Sequence, residues 1–228
     1  MVTEIARYDG HAEWYDETFT APRHPEEESF LRECLGTGGG EVCLDVACGT
    51  GRFGPVLAEA GYRPVGFDIS ADQLRFARRR LPVVRADVRS LPVPDASAGI
   101  ATGMFFHTDV EDFGAAVGEV ARCLRPAGRF IYLGLHPCFV GPFVYRLTER
   151  EDLTLSFEPG YGAVGWANRG SGDGSMIGGR VGFHHKTLAS FLQAFAAAGL
   201  TILAVREFFV PGHAVLPWNM GVLTEKRG

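Results

Sequence analysis

The sequence predicts a doubly wound α/β fold, with a mostly parallel seven-stranded sheet, helices on both faces and an inserted lid after the fifth strand. Short apolar runs alternate with segments of helical apolar spacing, which is the pattern of a parallel sheet flanked by helices. The apolar run 42–47 ends in a glycine-rich turn at Gly49, Gly51 and Gly54. Such a turn is typical of a first strand that leads into a helix whose amides face a ligand.

The first five strands and their helices are predicted in chain order. Strands are expected at 42–47, 63–68, 83–86, 98–105 and 128–135, with helices from about residue 52, at 71–80 and at 112–124. Ser70 and Gln73 have the spacing of a capping box, which predicts the start of the second helix. The proline-rich stretch 91–95 predicts a loop, and Arg-Pro-Ala-Gly at 125–128 predicts a turn before the fifth strand.

Residues 137–183 interrupt this rhythm. The segment holds ten glycines and lacks sustained periodicity, and it is too long for a plain loop, so we predict a lid or a small β excursion over a pocket. Its aromatic side chains could line an apolar pocket or form the core of the lid: Phe139, Phe143, Tyr145, Phe157, Tyr161 and Trp166. An amphipathic helix at 187–198 and strands at 201–209 and about 214–223 complete the chain.

Length and composition indicate an ordinary globular domain. The 228 residues suffice for one well-buried domain, 1–228, in which 1–35 form an N-terminal helical cap. No run approaches the roughly 18 apolar residues that span a bilayer, and the first residues do not resemble a secretory signal, so we expect a soluble cytoplasmic protein without membrane partners. The net charge of −5 disfavours nucleic acid, and five cysteines without a C-x-x-C pair disfavour disulfides and zinc.

Carboxylates at the predicted strand ends indicate the kind of cofactor. A pyrophosphate on the glycine turn would meet Asp45, and two like charges about 4 Å apart repel by about 4 kcal/mol at a dielectric of about 20. Asp68 ends the second strand 19 residues after Gly49, the spacing at which a carboxylate accepts the hydroxyls of a nucleoside ribose. Asp87 follows the third strand, where it could accept from an adenine amino group beside the Val88 amide. The set favours a cationic nucleoside over a dinucleotide.

The segment 42–54 resembles motif I of the class I S-adenosyl-L-methionine (SAM)-dependent methyltransferases, in its D-x-x-x-G-x-G form. Segments 91–97, 100–109 and 120–132 resemble the following loop, fourth strand and motif III region of that family, and Trp14-Tyr15-Asp16 resembles the N-terminal helix of its small-molecule members. The resemblance implies SAM as cofactor, with S-adenosylhomocysteine (SAH) as product. The cofactor-binding residues it implies, together with the strand-end reasoning, are Asp45, Ala47, Gly49, Thr50, Gly51, Asp68, Ile69, Asp87, Val88 and Tyr15.

Cys48 and the length of 137–183 depart from that pattern. Cys48 stands in the glycine turn, where members of the family often carry glycine or another small residue, and it could serve as a reactive thiol or as a space-filler.

Histidines are the candidates for catalysis. Methyl transfer needs an aligned acceptor, and a base only where the acceptor is protonated. His136 and His107 rank first because each follows a strand, while His185 and its neighbour His184 leave the insert. Any of them could instead have a packing or capping role. No histidine or carboxylate spacing supports a metal site.

The function predicted from the sequence is a SAM-dependent methyltransferase that acts on a small apolar or aromatic metabolite, at a hydroxyl oxygen. Three alternatives stay open: a SAM-binding cyclase or isomerase that does not transfer methyl, a nicotinamide oxidoreductase, and a binding or regulatory protein without turnover. The acceptor and the oligomeric state do not follow from the sequence.

Overall fold

A seven-stranded sheet forms the centre of the computed structural model, which describes residues 6–20, 25–141, 144–147, 154–157, 160–167, 177–210 and 213–228. The strands in chain order are β1 Val42–Val46, β2 Arg63–Asp68, β3 Val83–Arg85, β4 Ala98–Met104, β5 Leu124–Leu135, β6 Val144–Leu147, β7 Thr154–Phe157, β8 Gly165–Ala167, β9 Phe183–His185, β10 Leu200–Val210 and β11 His213–Lys226. The helices are α1 Ala12–Phe19, α2 Pro25–Leu35, α3 Gly54–Glu59, α4 Ala71–Ala77, α5 Phe113–Cys123, α6 Ile177–Val181 and α7 Leu188–Ala197.

The order of the strands confirms the predicted fold class. The main sheet runs β10-β11-β5-β4-β1-β2-β3, and β11 is antiparallel to both of its neighbours. The remaining pairs are parallel, so the ends of β1, β2, β3 and β4 meet at one edge. The order reverses between β1 and β4, and crevices at such a reversal are where open α/β sheets bind ligands.

Apolar clusters cover both faces of the sheet. On one face, Val117 of α5 and Phe191 of α7 pack with Phe130 and Tyr132 of β5. On the other face, Phe30 of α2 and Leu57 of α3 pack with strand residues such as Ile100 and Ile131. Helices therefore lie on both faces, as the sequence predicts, and fully burying each of these large side chains contributes about 1.5 to 3 kcal/mol.

Several predicted boundaries are wrong. The predicted turn at 125–128 lies within β5, which begins at Leu124, and the irregularity there appears as a register shift between Ala98 and Ile100 of β4. The helix α3 begins at Gly54 rather than near residue 52, and α4 ends at Ala77 rather than at residue 80.

The predicted capping box at the start of α4 forms only by half. The Ser70 hydroxyl accepts a hydrogen bond from the Gln73 amide at 3.1 Å. The Ser70 amide, however, donates to Asp68 Oδ1 at 2.8 Å, so Asp68 takes the place expected for the Gln73 side chain.

The insert 137–183 contains a small amount of β structure. Strands β6 and β7 form one antiparallel pair, and β8 pairs with β9 just beyond α6. Of the aromatic residues singled out in this segment, Phe143 lies outside the described residues, as do the side chains of Tyr145 and Phe157.

No helix within the described ranges has the length and apolar character needed to cross a membrane.

Candidate functional site

The glycine turn after β1 is joined to the end of β2 through Asp68. The Gly49 amide donates to Asp68 Oδ2 at 2.8 Å, while Asp68 Oδ1 accepts from Ser70. Burial raises the pKa of Asp68, and the amides of Ser70 and Gly49 oppose that rise. Gly49 has φ +55°, in the left-handed region that favours glycine. The turn therefore holds a carboxylate in a fixed position at the carboxyl edge of the sheet.

A cavity of about 800 Å³, partly open to solvent, lies at this edge. Its wall comes from the ends of β1, β2, β3 and β4, the start of α4 and the segment that precedes and includes α1. The predicted cofactor residues that line it are Tyr15, Ala47, Gly49, Asp68, Ile69, Asp87 and Val88. Seven of the ten predicted residues thus meet in one cavity.

The other three predicted cofactor residues, Asp45, Thr50 and Gly51, lie behind the residues that line the cavity. Asp45 is buried and accepts a hydrogen bond from Thr102 Oγ1 at 3.1 Å. Burial raises its pKa to about 7, which the Thr102 hydrogen bond opposes. The Thr50 carbonyl oxygen accepts from Arg80 Nη1 at 2.7 Å. Gly51 has φ +73°, and a Cβ there would lie 2.5 Å from Leu81 Cδ2, so this glycine permits close packing rather than contact with a ligand.

Asp87 is held by its own neighbour. The backbone amide, Nε and Nη2 of Arg89 all donate to its carboxylate, at 2.6 to 3.2 Å. These bonds lower the pKa of Asp87. The carboxylate is therefore charged at neutral pH while it lines the cavity.

Asp109 is a cavity residue that sequence reasoning missed. It follows β4 and receives a bifurcated hydrogen bond from the Tyr8 hydroxyl, at 3.2 and 3.3 Å. Burial raises the pKa of Asp109 to about 7, and the Tyr8 hydrogen bond opposes that rise. Its place in the loop that follows β4 at the carboxyl edge was the signal that could have found it. Arg7 and Gln73 line the cavity as well, without having been predicted as site residues.

The N-terminal cap is fixed to the cavity wall by polar contacts. Asp9 accepts from the Ser70 hydroxyl at 2.6 Å, and Asp16 receives both Nη atoms of Arg80 at 2.5 and 3.0 Å. Arg80 also binds the Thr50 carbonyl, so one guanidinium ties α1 to the glycine turn. Because both Nη atoms of Arg80 donate to the Asp16 carboxylate, this pair fixes the position of α1 more firmly than a single hydrogen bond would.

Two cation–π contacts join the cap to the insert, and each of the two segments supplies one arginine and one tryptophan. The Arg7 guanidinium lies 3.6 Å from the ring centroid of Trp166 in β8, and Arg180 of α6 lies 4.2 Å from that of Trp14 in α1. Each such contact contributes about 0.5 to 2 kcal/mol, depending on solvent exposure. The cap and the insert therefore close over the same end of the molecule as the cavity.

His107 lies in the apolar core rather than in the cavity lining. Its Nδ1 is 2.5 Å from the Tyr132 hydroxyl, and its ring packs against Phe113 and Phe191. Burial holds the pKa of His107 well below its usual value, and nearby Lys186 adds to that effect.

The other candidate histidines, His136, His184 and His185, also have partners on their ring nitrogens. His136 Nε2 lies 2.9 Å from Glu207, and its Nδ1 accepts from the Cys138 amide at 3.1 Å. His185 Nε2 donates to the Tyr161 carbonyl at 2.8 Å, and His184 Nδ1 accepts from Lys186 at 2.9 Å. Burial lowers the pKa of all three, that of His184 to about 4. The structure therefore does not bring the predicted histidines to the described cavity.

Cys48 packs in a small apolar cluster with Leu74, Ala77 and Leu81. A Cβ on Gly66 of β2 would lie 2.7 Å from its Sγ, so the thiol fills space against that strand. Burial raises the pKa of Cys48 well above the usual value, as expected for an inert thiol.

The charge of the cavity favours a cationic ligand with hydroxyl groups. Among the residues that the structure describes, Asp68, Asp87 and Asp109 line it beside one guanidinium, that of Arg7. In the ranges that the structure describes, no three His, Cys, Asp or Glu side chains form a group that could hold a metal ion.

The chain is similar to known methyltransferases. A model of a methyltransferase domain matches residues 44–132. A demethylmenaquinone methyltransferase from Mycobacterium sp. (strain JLS) is 35% identical over 128 residues, which are 54% of this chain and 56% of that protein. A malonyl-[acyl-carrier protein] O-methyltransferase from Serratia marcescens is 33% identical over 96 residues, 41% of this chain and 38% of that protein. The chain thus spans less than two thirds of the length of these curated relatives.

Solved structures share the fold along most of the chain. A SAM-dependent methyltransferase from Mesorhizobium loti has 26% identity and a TM-score of 0.74, with 96% of this chain and 99% of that chain covered. The [4+2]-cyclase SpnF has 18% identity and a TM-score of 0.59, with 87% and 80% covered, which is a likeness of fold alone. These comparisons support SAM as the cofactor.

Proposed function

By its matched domain and its fold the chain belongs to the class I SAM-dependent methyltransferases, and on this premise we propose that it transfers a methyl group from SAM to a small apolar or aromatic metabolite, at a hydroxyl oxygen. The observation that carries the proposal is the acidic lining of the cavity by Asp68, Asp87 and Asp109. SAM has a sulfonium and an ammonium and no phosphate, so these carboxylates attract it and repel a dinucleotide.

The residues of the cavity suit the parts of SAM. Asp68 has carboxylate oxygens that can each accept a further hydrogen bond, which suits a ribose diol. We assign the adenine to Asp87, Val88 and Ile69, and the carboxylate of the methionine part to Tyr15.

The turn residues have supporting roles. Ala47 and Gly49 form the wall beside the methionine part, while Thr50 and Gly51 hold the shape of the turn. Asp45 lies beneath the turn, and its pKa of about 7 leaves its carboxyl group only partly charged at neutral pH.

SAM, when bound, supplies the electrophilic methyl group. The chain then has to orient the acceptor and exclude water, which supplies a large share of the rate enhancement in a displacement of this kind. We propose that the cap and the insert 137–183 act together as the lid, because Arg7–Trp166 and Arg180–Trp14 join them across the same end of the molecule.

A relative named as an O-methyltransferase supports oxygen as the reacting atom, and the apolar cavity residues Met104, Phe105 and Phe106 support an apolar acceptor. The candidates for a catalytic base are His136 first, then His107 and His185. Each ring now has a hydrogen-bond partner, so it could act as a base only if the bound acceptor displaced that partner. Otherwise alignment alone carries the reaction.

The test combines binding with an acceptor screen. Calorimetry should give micromolar binding of SAH and little binding of NAD, and incubation with SAM and a panel of hydroxylated aromatic compounds should release SAH, measured by mass spectrometry. If a histidine acts as base, His136→Ala should lower kcat and leave SAH affinity unchanged.

Turnover without release of SAH would instead establish a cyclase or isomerase that uses SAM as a cation. The shared fold of the [4+2]-cyclase keeps this alternative open. Equal affinity for NAD and SAH would contradict the charge argument.

A further inference from the structure

A buried polar pair joins the N-terminal cap to the last strand. Glu27 of α2 and Asn219 of β11 are 2% and 5% exposed. The side-chain amide of Asn219 donates to Glu27 Oε1 at 2.5 Å. Among the residues that the structure describes, Asn219 Oδ1 has no hydrogen-bond donor. Buried polar atoms in native proteins nearly always have a partner, so this oxygen is available to a donor on a ligand.

The register of the sheet places Asn219 at the carboxyl edge. Met104, the last residue of β4, is opposite Leu133 of β5, and Leu133 is opposite Gly221 of β11. Because β11 is antiparallel to β5, Asn219 lies two residues beyond Gly221 in the direction of that edge. Met104 lines the cavity, and β11 is two strands away from β4, about 10 Å at ordinary strand spacing. The pair therefore lies beside the cavity wall, at a distance that a small ring system can span.

The surface between the cavity and the pair is apolar. Phe105 lines the cavity and packs against the cluster that contains Phe30 of α2 and Phe208 of β10. Phe208 is opposite Asn219 in the sheet. Phe53 stacks on Phe105 with ring centroids 6.4 Å apart, and both rings are only partly buried. An aromatic surface therefore extends from the cavity towards a buried polar end.

The pair and the residues assigned to the nucleoside lie on opposite sides of the strand reversal. Asp68 ends β2 and Asp87 follows β3, at one end of the sheet order. Asn219 belongs to β11, beyond β4 and β5 in the other direction. With adenine and ribose assigned to β2 and β3, the side of β5 and β11 is left for the methyl acceptor.

We propose that Asn219 binds a second hydroxyl of the methyl acceptor, one that is not methylated and that lies at the far end of an aromatic ring system. Asn219 Oδ1 accepts the hydrogen of that hydroxyl. Glu27 is a positioning residue, because it accepts from the Asn219 amide and so turns Oδ1 away from itself. The inference rests on the proposed function and narrows it to aromatic compounds with two separated hydroxyls. A compound with the reacting hydroxyl alone leaves Asn219 Oδ1 without a partner and binds more weakly.

The test compares 2,6-dihydroxynaphthalene with 2-naphthol, which lacks the second hydroxyl. Calorimetry on the SAH-saturated wild type should show that the dihydroxy compound binds about 3- to 10-fold more tightly, the effect of one neutral hydrogen bond. Glu27→Met combined with Asn219→Leu removes both polar groups, so this double variant should fold at least as stably as the wild type and keep its affinity for SAH. It should bind the two naphthalenes within about 2-fold of each other.

The matched control is Glu33→Met combined with Arg206→Met, which removes an exposed ion pair between α2 and β10 and should keep the preference for the dihydroxy compound. Glu27→Gln checks the positioning role. Its Oε1 can still accept from the Asn219 amide, so the variant should keep the preference, whereas Glu27→Met alone should reduce it.

Equal affinity of the wild type for the two naphthalenes, absence of binding included, would overturn the inference, as would a preference that the Glu27→Met, Asn219→Leu double variant retains. Loss of the preference in Glu27→Gln would overturn the positioning role of Glu27. Incubation with SAM and the same compounds judges the proposed function separately. Release of SAH without a preference would remove the inference alone, and a preference without release of SAH would remove methyl transfer and leave the binding site.

Discussion

Lys186 Nζ donates a hydrogen bond to the Val110 carbonyl oxygen at 2.6 Å, which joins the strand end after the insert to the loop that carries Asp109. The same ammonium donates to the His107 carbonyl and to His184 Nδ1, both at 2.9 Å. Lys186 is buried, and its three donors reach three acceptors in the wall behind the cavity. A buried cation held in this way fixes the loop relative to the insert.

Lys186→Met should therefore unfold more easily than the wild type. Removal of the ammonium leaves buried acceptors without a donor, and we expect a loss of about 2 to 4 kcal/mol in the free energy of unfolding, measured in urea. Lys226→Met is the matched control, because Lys226 is only partly buried and donates to one carbonyl, that of Leu124. A loss no larger than that of the control would contradict the role of Lys186.

Asp68→Ala should weaken the binding of SAH by about 1.5 to 3 kcal/mol, the range for lost hydrogen bonds to a charged acceptor. Calorimetry measures the affinity. Asp95→Ala removes a mostly exposed carboxylate that pairs with Arg122 away from the cavity, and it should leave binding unchanged. Equal affinities of wild type and Asp68→Ala would remove Asp68 from the ribose role.

Gly51→Ala should destabilise the protein by about 2 kcal/mol or more, because it adds backbone strain at φ +73° and a clash with Leu81. Gly118→Ala in α5 meets no atom within 4 Å and should instead stabilise by about 0.5 to 1 kcal/mol. Thermal unfolding of the two variants should give shifts of opposite sign. A stabilising shift for Gly51→Ala would contradict both the strain and the clash.

Asp45→Asn should change the pH dependence of stability. The folded pKa of Asp45 is about 7, above its unfolded value, so the stability that it contributes is fully present at low pH and lost as pH rises through 7. Between pH 4 and pH 8, the free energy of unfolding of the variant should rise relative to that of the wild type by on the order of 2 to 4 kcal/mol, measured by urea unfolding at each pH. The buried histidines have lowered pKa values, which make stability rise with pH in both proteins. Subtracting the wild-type stability from that of the variant at each pH removes this common contribution. A pH-independent difference would contradict the raised pKa.

The strand pattern and the glycine turn could be predicted because their signals are local. The predicted bounds of β2 match those observed, and Asp68, Gly49 and Asp87 meet because parallel strands end at one edge. The contact of Tyr8 with Asp109 could not be predicted in the same way, since the two residues are 101 positions apart.

The histidines illustrate the same limit. The partners of His107 are distant in the sequence. Tyr132, which contacts its ring, is 25 positions away, and Lys186, which donates to its carbonyl oxygen, is 79 positions away. A strand-end position indicates that a side chain is near the carboxyl edge, but packing decides whether it faces the cavity. The irregular start of β5 likewise depends on its pairing with β4.

The position of β11 between β5 and β10 has a consequence for biosynthesis. β5 emerges from the ribosome long before β11, yet β11 is the neighbour that covers its outer edge. Until residues 213–226 are translated and released, the backbone groups of that edge can pair with another nascent chain. Co-translational folding of this sheet is therefore incomplete until β11 inserts, and slow translation after β5 should increase aggregation.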